Sequence, residues 1–374
     1  MGYQIAQPKD IWLGADQVVS PLGMTSEQNF QAVLEGRSGI RHFENTAWSD
    51  HMICAAYAQE IKGVPGYTRF ESMGLAAMRS LKEKNIPAKR TLFILSTTKG
   101  NIDLLSGGKK NERLPLHATA KFFADQLNLD KYVVISNACI SGSLAMIYAR
   151  RVILSGKYDH AVIVAADTLG KFVISGFKAL GASSPEPCLP FDAGRKGINL
   201  GEAAAVSVLS AKPDEVGIKK EIRLIAGAVN NDANHISGPS RTGEELAMAI
   251  RRSMAEARVE AQDIDFVSAH GTATLYNDEM EANAFSHAGI SDIPVNSLKG
   301  YFGHTLGAAG LVESIISAKS LLSGRLVPSH GFKQQGTTKA LNMILSPVVK
   351  EMNICLKTAS GFGGCNAAII LQKH

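Results

Sequence analysis

The chain has 374 residues, 45% hydrophobic and 20% charged, a balance that suits a packed globular core and excludes a disordered or low-complexity chain. Its net charge of +5 is mild and dispersed, which argues against nucleic-acid binding. The five cysteines form no CxxC pair and no zinc-ligand spacing, and their odd number fits free thiols in a reducing, cytoplasmic compartment.

Met1 to Asp10 lacks a basic segment followed by an apolar one, so no signal peptide is expected, and no uncharged apolar run reaches membrane-spanning length. Ile11 to Val19 predicts a first strand, ended by Ser20-Pro21-Leu22-Gly23. Thr25, with Gln28 three residues on, predicts a capped helix to about Leu34, ended by Gly36-Arg37-Ser38-Gly39-Ile40. A second helix follows over Thr68 to Glu83, then a buried strand over Thr91 to Ser96 and a third helix at about His117 to Asn128. Tyr132 to Ser136 is a short β-branched run that reads as a strand, and Ser141 to Ser155 reads as a helix stopped by Gly156. Between them, Asn137-Ala138-Cys139-Ile140 makes a sharp turn of small residues. A cysteine there faces a helix N-terminus, whose unpaired amides and dipole favour a thiolate; the alternative is a buried, inert thiol.

His160 to Ala166 predicts a further strand, and after Asp192 the pattern begins again. Strands are expected over Ala203 to Leu209 and Ile222 to Val229, and an amphipathic helix over Glu244 to Val259 with Leu246, Ile250, Met254 and Ala257 on one face. Phe266 to Ala269 is a short strand leading into His270, and Pro294-Val295-Asn296 leads into a glycine-rich turn that reaches His304. A helix over Ala308 to Leu322 and strands over Met352 to Lys357 and Ala367 to Leu371 complete the chain. Alternating strands and helices imply an α/β fold with covered sheets. One half runs over 1–210 and a second over 211–374, with no linker between them. One cysteine at a helix N-terminus and two histidines at strand ends offer a nucleophile and two donors or bases that can converge.

The motifs resemble those of the β-ketoacyl-acyl-carrier-protein synthases, condensing enzymes of the thiolase-like superfamily. They are Ser20-Pro21-Leu22-Gly23 with Gly36 to Ile40, the turn at Cys139, Pro190-Phe191-Asp192 with Leu200-Gly201-Glu202, Asn231 to His235, and the His270, Lys299–His304 and Gly361–Gly364 stretches. The resemblance implies a duplicated α/β fold in five layers, α-β-α-β-α, usually dimeric. It implies that Cys139 takes an acyl group from a carrier protein, and that His270 and His304 stabilise the enolate left when a malonyl-type extender loses CO₂. The backbone amides of Cys139 and Phe362 match the family's oxyanion hole, and Phe362 its gating aromatic. Lys299 matches a supporting lysine expected to pair with Glu281, while Asp278 reads as a structural cap. Thr272, Thr274 and Ser237 are expected to bind the carrier's phosphopantetheine arm, so no separate cofactor and no metal are called for. Arg195, Lys196, Arg69 and Lys62 are candidates for docking the acidic carrier. Cys365, Cys54, Cys188 and Cys355 read as packing.

The chain departs from the family in a short segment between Gly100 and Tyr132, opened by Ser96-Thr97-Thr98-Lys99-Gly100-Asn101 in place of a more glycine-rich pattern. In the family that region lies at the dimer interface and closes the acyl pocket. Such members resemble ketosynthases of specialised pathways, for instance those making aryl polyene pigments. A homodimer and a heterodimer with another ketosynthase-like subunit both stay open. So do two other readings: a chain-length-factor-like subunit, and a thiolase-type or starter-unit enzyme using coenzyme A esters.

Overall fold

Two runs of strands build the protein, and both follow one plan. The computed structural model describes residues 10–44, 46–107, 111–232 and 238–374. The first run comprises Trp12–Val19, Thr91–Ser96, Tyr132–Ile135, His160–Asp167 and Ala203–Ser210. Taken in chain order, these lie side by side as third, second, fourth, fifth, first. The second run, Ile222–Asn231, Phe266–Ser268, Val295–Asn296, Ile354–Gly361 and Cys365–Lys373, lies in the same order. The directions match too: in each set the second strand is parallel to the third and fourth, and the fifth is antiparallel to the fourth and first. The two sets meet where their first strands pair, Trp12 with Arg223 and Leu13 with Ile222. Duplication is thus plain in the topology although no sequence repeat marks it.

Helices cover each set on both sides. Arg69–Ala77 and Leu116–Asp125 seal the outer face of the first set through Phe70, Met73 and Phe123 against Phe93, Val162 and Val206. Glu244–Ala257 and Leu275–Ala288 do the same for the second, through Leu246, Ile250 and Phe285 against Val267, Leu356 and Ile370. Between the sets lie Ser141–Leu154 and Ala309–Ser323, whose Met146, Ile147, Leu311 and Ile315 join both inner faces in the largest apolar core. The result is the expected five-layer α-β-α-β-α body. Strands buried on both faces read as continuous apolar runs, as in His160–Asp167 and Ala203–Ser210. The segment Leu306–Ser323 is long and apolar enough to span a membrane, yet 83% of it is buried inside the protein, which makes it a core helix.

The two central helices touch at their N-terminal ends through glycines. A Cβ on Gly142 would lie 2.6 Å from the Leu311 nitrogen, and one on Gly310 would lie 2.3 Å from the Ser143 nitrogen. Only glycine allows this approach, which brings the Cys139 turn beside the turn that carries His304. Elsewhere the structure differs from expectation in detail. The helix begun at Thr68 leaves regular geometry after Ala77 and tightens over Met78–Leu81. A hairpin of Ile40–Phe43 and Ile53–Ala56 and a helix over Lys171–Ala179 were not foreseen.

Candidate active site

The strand Tyr132–Ile135 and the helix Ser141–Leu154 are joined by a strained turn. Ala138 adopts φ +43°, a left-handed conformation that costs a non-glycine residue about 1–3 kcal/mol. Ser141 holds it: its Oγ accepts from the Asn137 N–H at 2.8 Å and donates to the Ala138 carbonyl at 2.7 Å. Cys139 sits at the apex, buried, with the Phe362 N–H directed at its sulfur. Phe362 lies at the tip of the hairpin formed by Ile354–Gly361 and Cys365–Lys373, and its ring stacks on Phe177 with centroids 5.5 Å apart.

The expected thiolate is not the resting form. Burial pushes the Cys139 thiol up to about 12, against the pull of Lys299. That rise is roughly 4 kcal/mol, whereas a helix N-terminus offers at most about 2 kcal/mol. The nucleophile therefore rests as a thiol and must lose its proton as it reacts.

Two bases stand beside it. His270 follows the strand Phe266–Ser268, and His304 follows the turn after Val295–Asn296. Their rings meet edge to face with centroids 5.2 Å apart, and both are buried. Burial holds each histidine well below its usual value, helped by the charges of Lys299 and Lys357. Both are neutral at pH 7. Lys299 Nζ donates to the His270 carbonyl at 2.6 Å and lies 3.2 Å from its Nδ1. An ammonium can only donate, so Nδ1 accepts and Nε2 carries the proton. Neither ring nitrogen of His304 has a partner among the described residues.

Lys299 does not pair with Glu281. Its carboxylate partner is Glu313 on the helix Ala309–Ser323, at 2.8 Å. Glu281 faces the other way and accepts the N–H groups of His270 at 2.8 Å and Gly271 at 2.6 Å, with Thr358 Oγ1 at 3.0 Å. Burial raises the Glu281 carboxyl. Burial would raise Glu313 as well, but Lys299 and Lys357 outweigh it and hold that carboxyl below its usual value. Asp278 does not cap its own helix; it accepts the N–H groups of Phe191 at 2.7 Å and Thr272 at 2.9 Å, and burial raises it to about 6. It ties the Pro190-Phe191-Asp192 motif to the Thr272 loop.

A cavity of about 320 Å³ opens onto Cys139, His270 and His304, with Thr272, Thr274 and Phe362 in its wall and Arg195 and Lys196 near them. The hydroxyls of Thr272 and Thr274 are 2.8 Å apart. Ser237 lies outside the described residues. Arg195 is buried and donates to the carbonyls of Asp192 and Gly336, whereas Lys196 is exposed beside Glu186. Arg69 and Lys62 are not in this wall. The Arg69 guanidinium is engaged by Glu202, by the Ala58 and Ile61 carbonyls and by the Tyr57 ring, so it serves the fold; Lys62 is exposed elsewhere. Cys365 donates to the Phe362 carbonyl at 3.4 Å, inside the hairpin turn.

Sequence reasoning missed Glu313, Lys357 and Asp167. Asp167 knots the atypical Thr97-Thr98-Lys99 segment: it accepts from Thr97, Thr98, Lys99 and the Gly307 N–H at 2.8–3.0 Å. An acid in an apolar core helix and a lysine in an apolar strand were the available signals.

A duplicated five-layer body with a cysteine and two histidines gathered at its centre defines a thiolase-like condensing enzyme. The models of the β-ketoacyl synthase N-terminal and C-terminal domains match residues 131–215 and 223–333, together just over half the chain. The 3-oxoacyl-[acyl-carrier-protein] synthase 2 of Vibrio cholerae is 28% identical over 95% of this chain and 97% of its own. The ketoacyl synthase alpha subunit of the tetracenomycin polyketide synthase from Streptomyces glaucescens is 31% identical over 64% of this chain and 60% of its own. A chain of the complex between a ketosynthase and its chain length factor from Xenorhabdus doucetiae superposes with TM-score 0.86 over the whole of both chains, at 24% identity. The chain belongs to the β-ketoacyl synthase family and is an acyl-transferring condensing enzyme.

Proposed function

We propose that this ketosynthase accepts an acyl group from a carrier protein onto Cys139 and extends it by two carbons from a malonyl-type carrier. The observation that carries the reading is a neutral His270–His304 pair facing one cavity with a buried thiol. In the first half-reaction the Cys139 sulfur attacks the thioester carbonyl, a neutral imidazole takes its proton, and the carrier leaves as a thiol with a proton returned. The Cys139 and Phe362 amides receive the oxyanion, each donor of this kind supplying about 3–4 kcal/mol of barrier lowering. The apolar group beside Cys139, with Leu169, Val173, Ile174, Leu200 and Leu306, suits the acyl chain. In the second half-reaction CO₂ leaves the extender, and its thioester oxygen gains the charge that the two N–H groups stabilise. The carbanion then attacks the acyl-enzyme and frees Cys139.

Thr272 and Thr274 are proposed to hold the phosphopantetheine arm, and the exposed Lys196 to face the carrier, with the buried Arg195 bracing that rim. The free edge of Tyr132–Ile135 suits pairing with a second ketosynthase-like chain, identical or not. Relatives solved as a ketosynthase with a chain length factor favour a two-chain assembly. A chain-length-factor role for this chain is the second reading, but the complete Cys139, His270 and His304 set favours catalysis. A specialised rather than housekeeping pathway is proposed from the Thr97–Asn101 departure.

The test is intact-protein mass spectrometry after incubation with acyl carrier proteins of several chain types, with Cys139→Ala as control. An acyl adduct on the native chain, absent from the variant, is expected. An adduct formed only on a co-purifying partner would overturn the catalytic reading in favour of the second.

A further inference from the structure

The site rests on a second buried lysine that neither the motifs nor the reaction account for. Lys357 lies on the strand Ile354–Gly361, where its neighbours in sequence are Leu356 and Thr358. Its side chain is fully buried. Its Nζ is 2.7 Å from Glu313 Oε2 and donates to the Thr358 carbonyl. Glu313 holds Lys299 on its other oxygen, so one carboxylate bridges two ammonium groups behind the histidines. Lys357 also interacts electrostatically with Glu281, the carboxylate that grips the His270 and Gly271 amides. The four groups are two bases and two acids, all buried, on four elements. This count explains how the interior tolerates Lys357, because an unpaired buried ion would be strongly destabilising. Burial raises the Glu281 carboxyl, and the Gly271 and His270 N–H groups, then Lys357, oppose that rise.

We propose that Lys357 is a positioning residue which, by sharing Glu313 with Lys299, completes the charge balance of this buried group behind His270 and His304. It rests on the ketosynthase reading above, which needs a neutral base for Cys139 and neutral N–H donors for the enolate. The charges acting on the two histidines are those of Lys299 and Lys357, with His304 acting on His270; Glu313 holds both lysines, Glu281 holds the His270 backbone, and the cavity side presents Cys139. Of these, Lys299 and Lys357 are the cations. Removing one leaves the network with an excess negative charge, and protons then bind the imidazoles more readily. A unit charge several Å away at an effective dielectric of about 20 shifts a neighbouring group by on the order of one pH unit.

The experiment compares the native chain with Lys357→Met and Lys357→Arg. Histidine ring resonances titrated by NMR, without substrate, are expected to show His270 and His304 protonating about one pH unit higher in Lys357→Met and near the native pH in Lys357→Arg. The acidic limb of decarboxylation or condensation is expected to move up by the same amount. Unchanged histidine titration in a folded Lys357→Met would overturn the proposal, as would an equal shift in Lys357→Arg, which would make the effect one of packing. Because losing one ion of a buried group can prevent folding, the native chain is also read through its lysine ¹⁵Nζ resonance. A charged Lys357 at pH 7 supports the proposal, and a neutral amine overturns it. The NMR arms stand whether or not the chain condenses acyl groups, and acylation of Cys139 tests that reading separately.

Discussion

At the scale of single residues, chemistry was legible where a residue type is rare and its neighbours unusual. Cys139 between a β-branched run and a small-residue helix, and two histidines at strand ends, could be read without coordinates. The partner of Lys299 could not. Glu281 and Glu313 are both acids on helices that follow the relevant loops, and only the packing of the central helix puts Glu313 at 2.8 Å from the ammonium. Nor does sequence report depth, which makes Cys139 a thiol and the histidines neutral. That neutrality carries a pH signature. A histidine whose folded pKa lies below its unfolded value of about 6.5 contributes stability that is whole above pH 6.5 and is lost as pH falls beneath it. Each histidine should then cost up to roughly 1.4 kcal/mol per pH unit on the acid side. Asp278 and Glu281, raised by burial, work in the opposite sense. The informative quantity is therefore the difference between the native chain and His304→Asn. The melting temperature of the variant should fall less steeply from pH 7 to pH 5, and parallel curves would show that His304 is not held neutral.

Among elements, the long buried strands and the helices with one apolar face were found from pattern to within a few residues. The shorter pieces were not, nor was the helix Leu275–Ala288, whose buried face carries Asn277, Asp278 and Glu281. The strand Ile40–Phe43 has Arg41 and His42 exposed at its centre, which breaks the apolar run that would announce it. The helix Lys171–Ala179 buries Val173 and Ile174 but leaves Phe172 exposed, so its pattern is interrupted. The contact between the two central helices was invisible for another reason: Gly142 and Gly310 are 168 positions apart. A methyl group on Gly310 would press on backbone at Ser143, which has no free rotamer to yield. Gly310→Ala should thus force the helices apart at the end that aligns Cys139 with His304. The expected cost is about 1–3 kcal/mol of stability, read by denaturant unfolding, with a larger proportional loss of condensation than of stability. A variant as stable and active as the native chain would show that the helix ends can slide without consequence.

The architecture of the whole molecule leaves one edge conspicuously open. The third strand of the first set, Tyr132–Ile135, ends the ten-stranded sheet and, among the described residues, has a single neighbour, Thr91–Ser96. Its Lys131 and Ile135 carbonyls accept from Phe93 and Thr97, so the backbone groups of Tyr132 and Val134 between them point outward. All four strand residues are half-buried in the single chain. An apolar edge with unpaired donors invites a second strand, and the Cys139 turn begins just past it. Two ketosynthase-like chains joined here would make one sheet run through both and brace both nucleophile turns. Val134→Pro tests this with little disturbance, because proline removes only the outward donor and suits an edge strand. Sedimentation should show a native two-chain particle that falls to one chain in Val134→Pro, with circular dichroism unchanged. A variant that stays paired would move the interface off this edge, and the brace on Cys139 would then have to come from within its own chain.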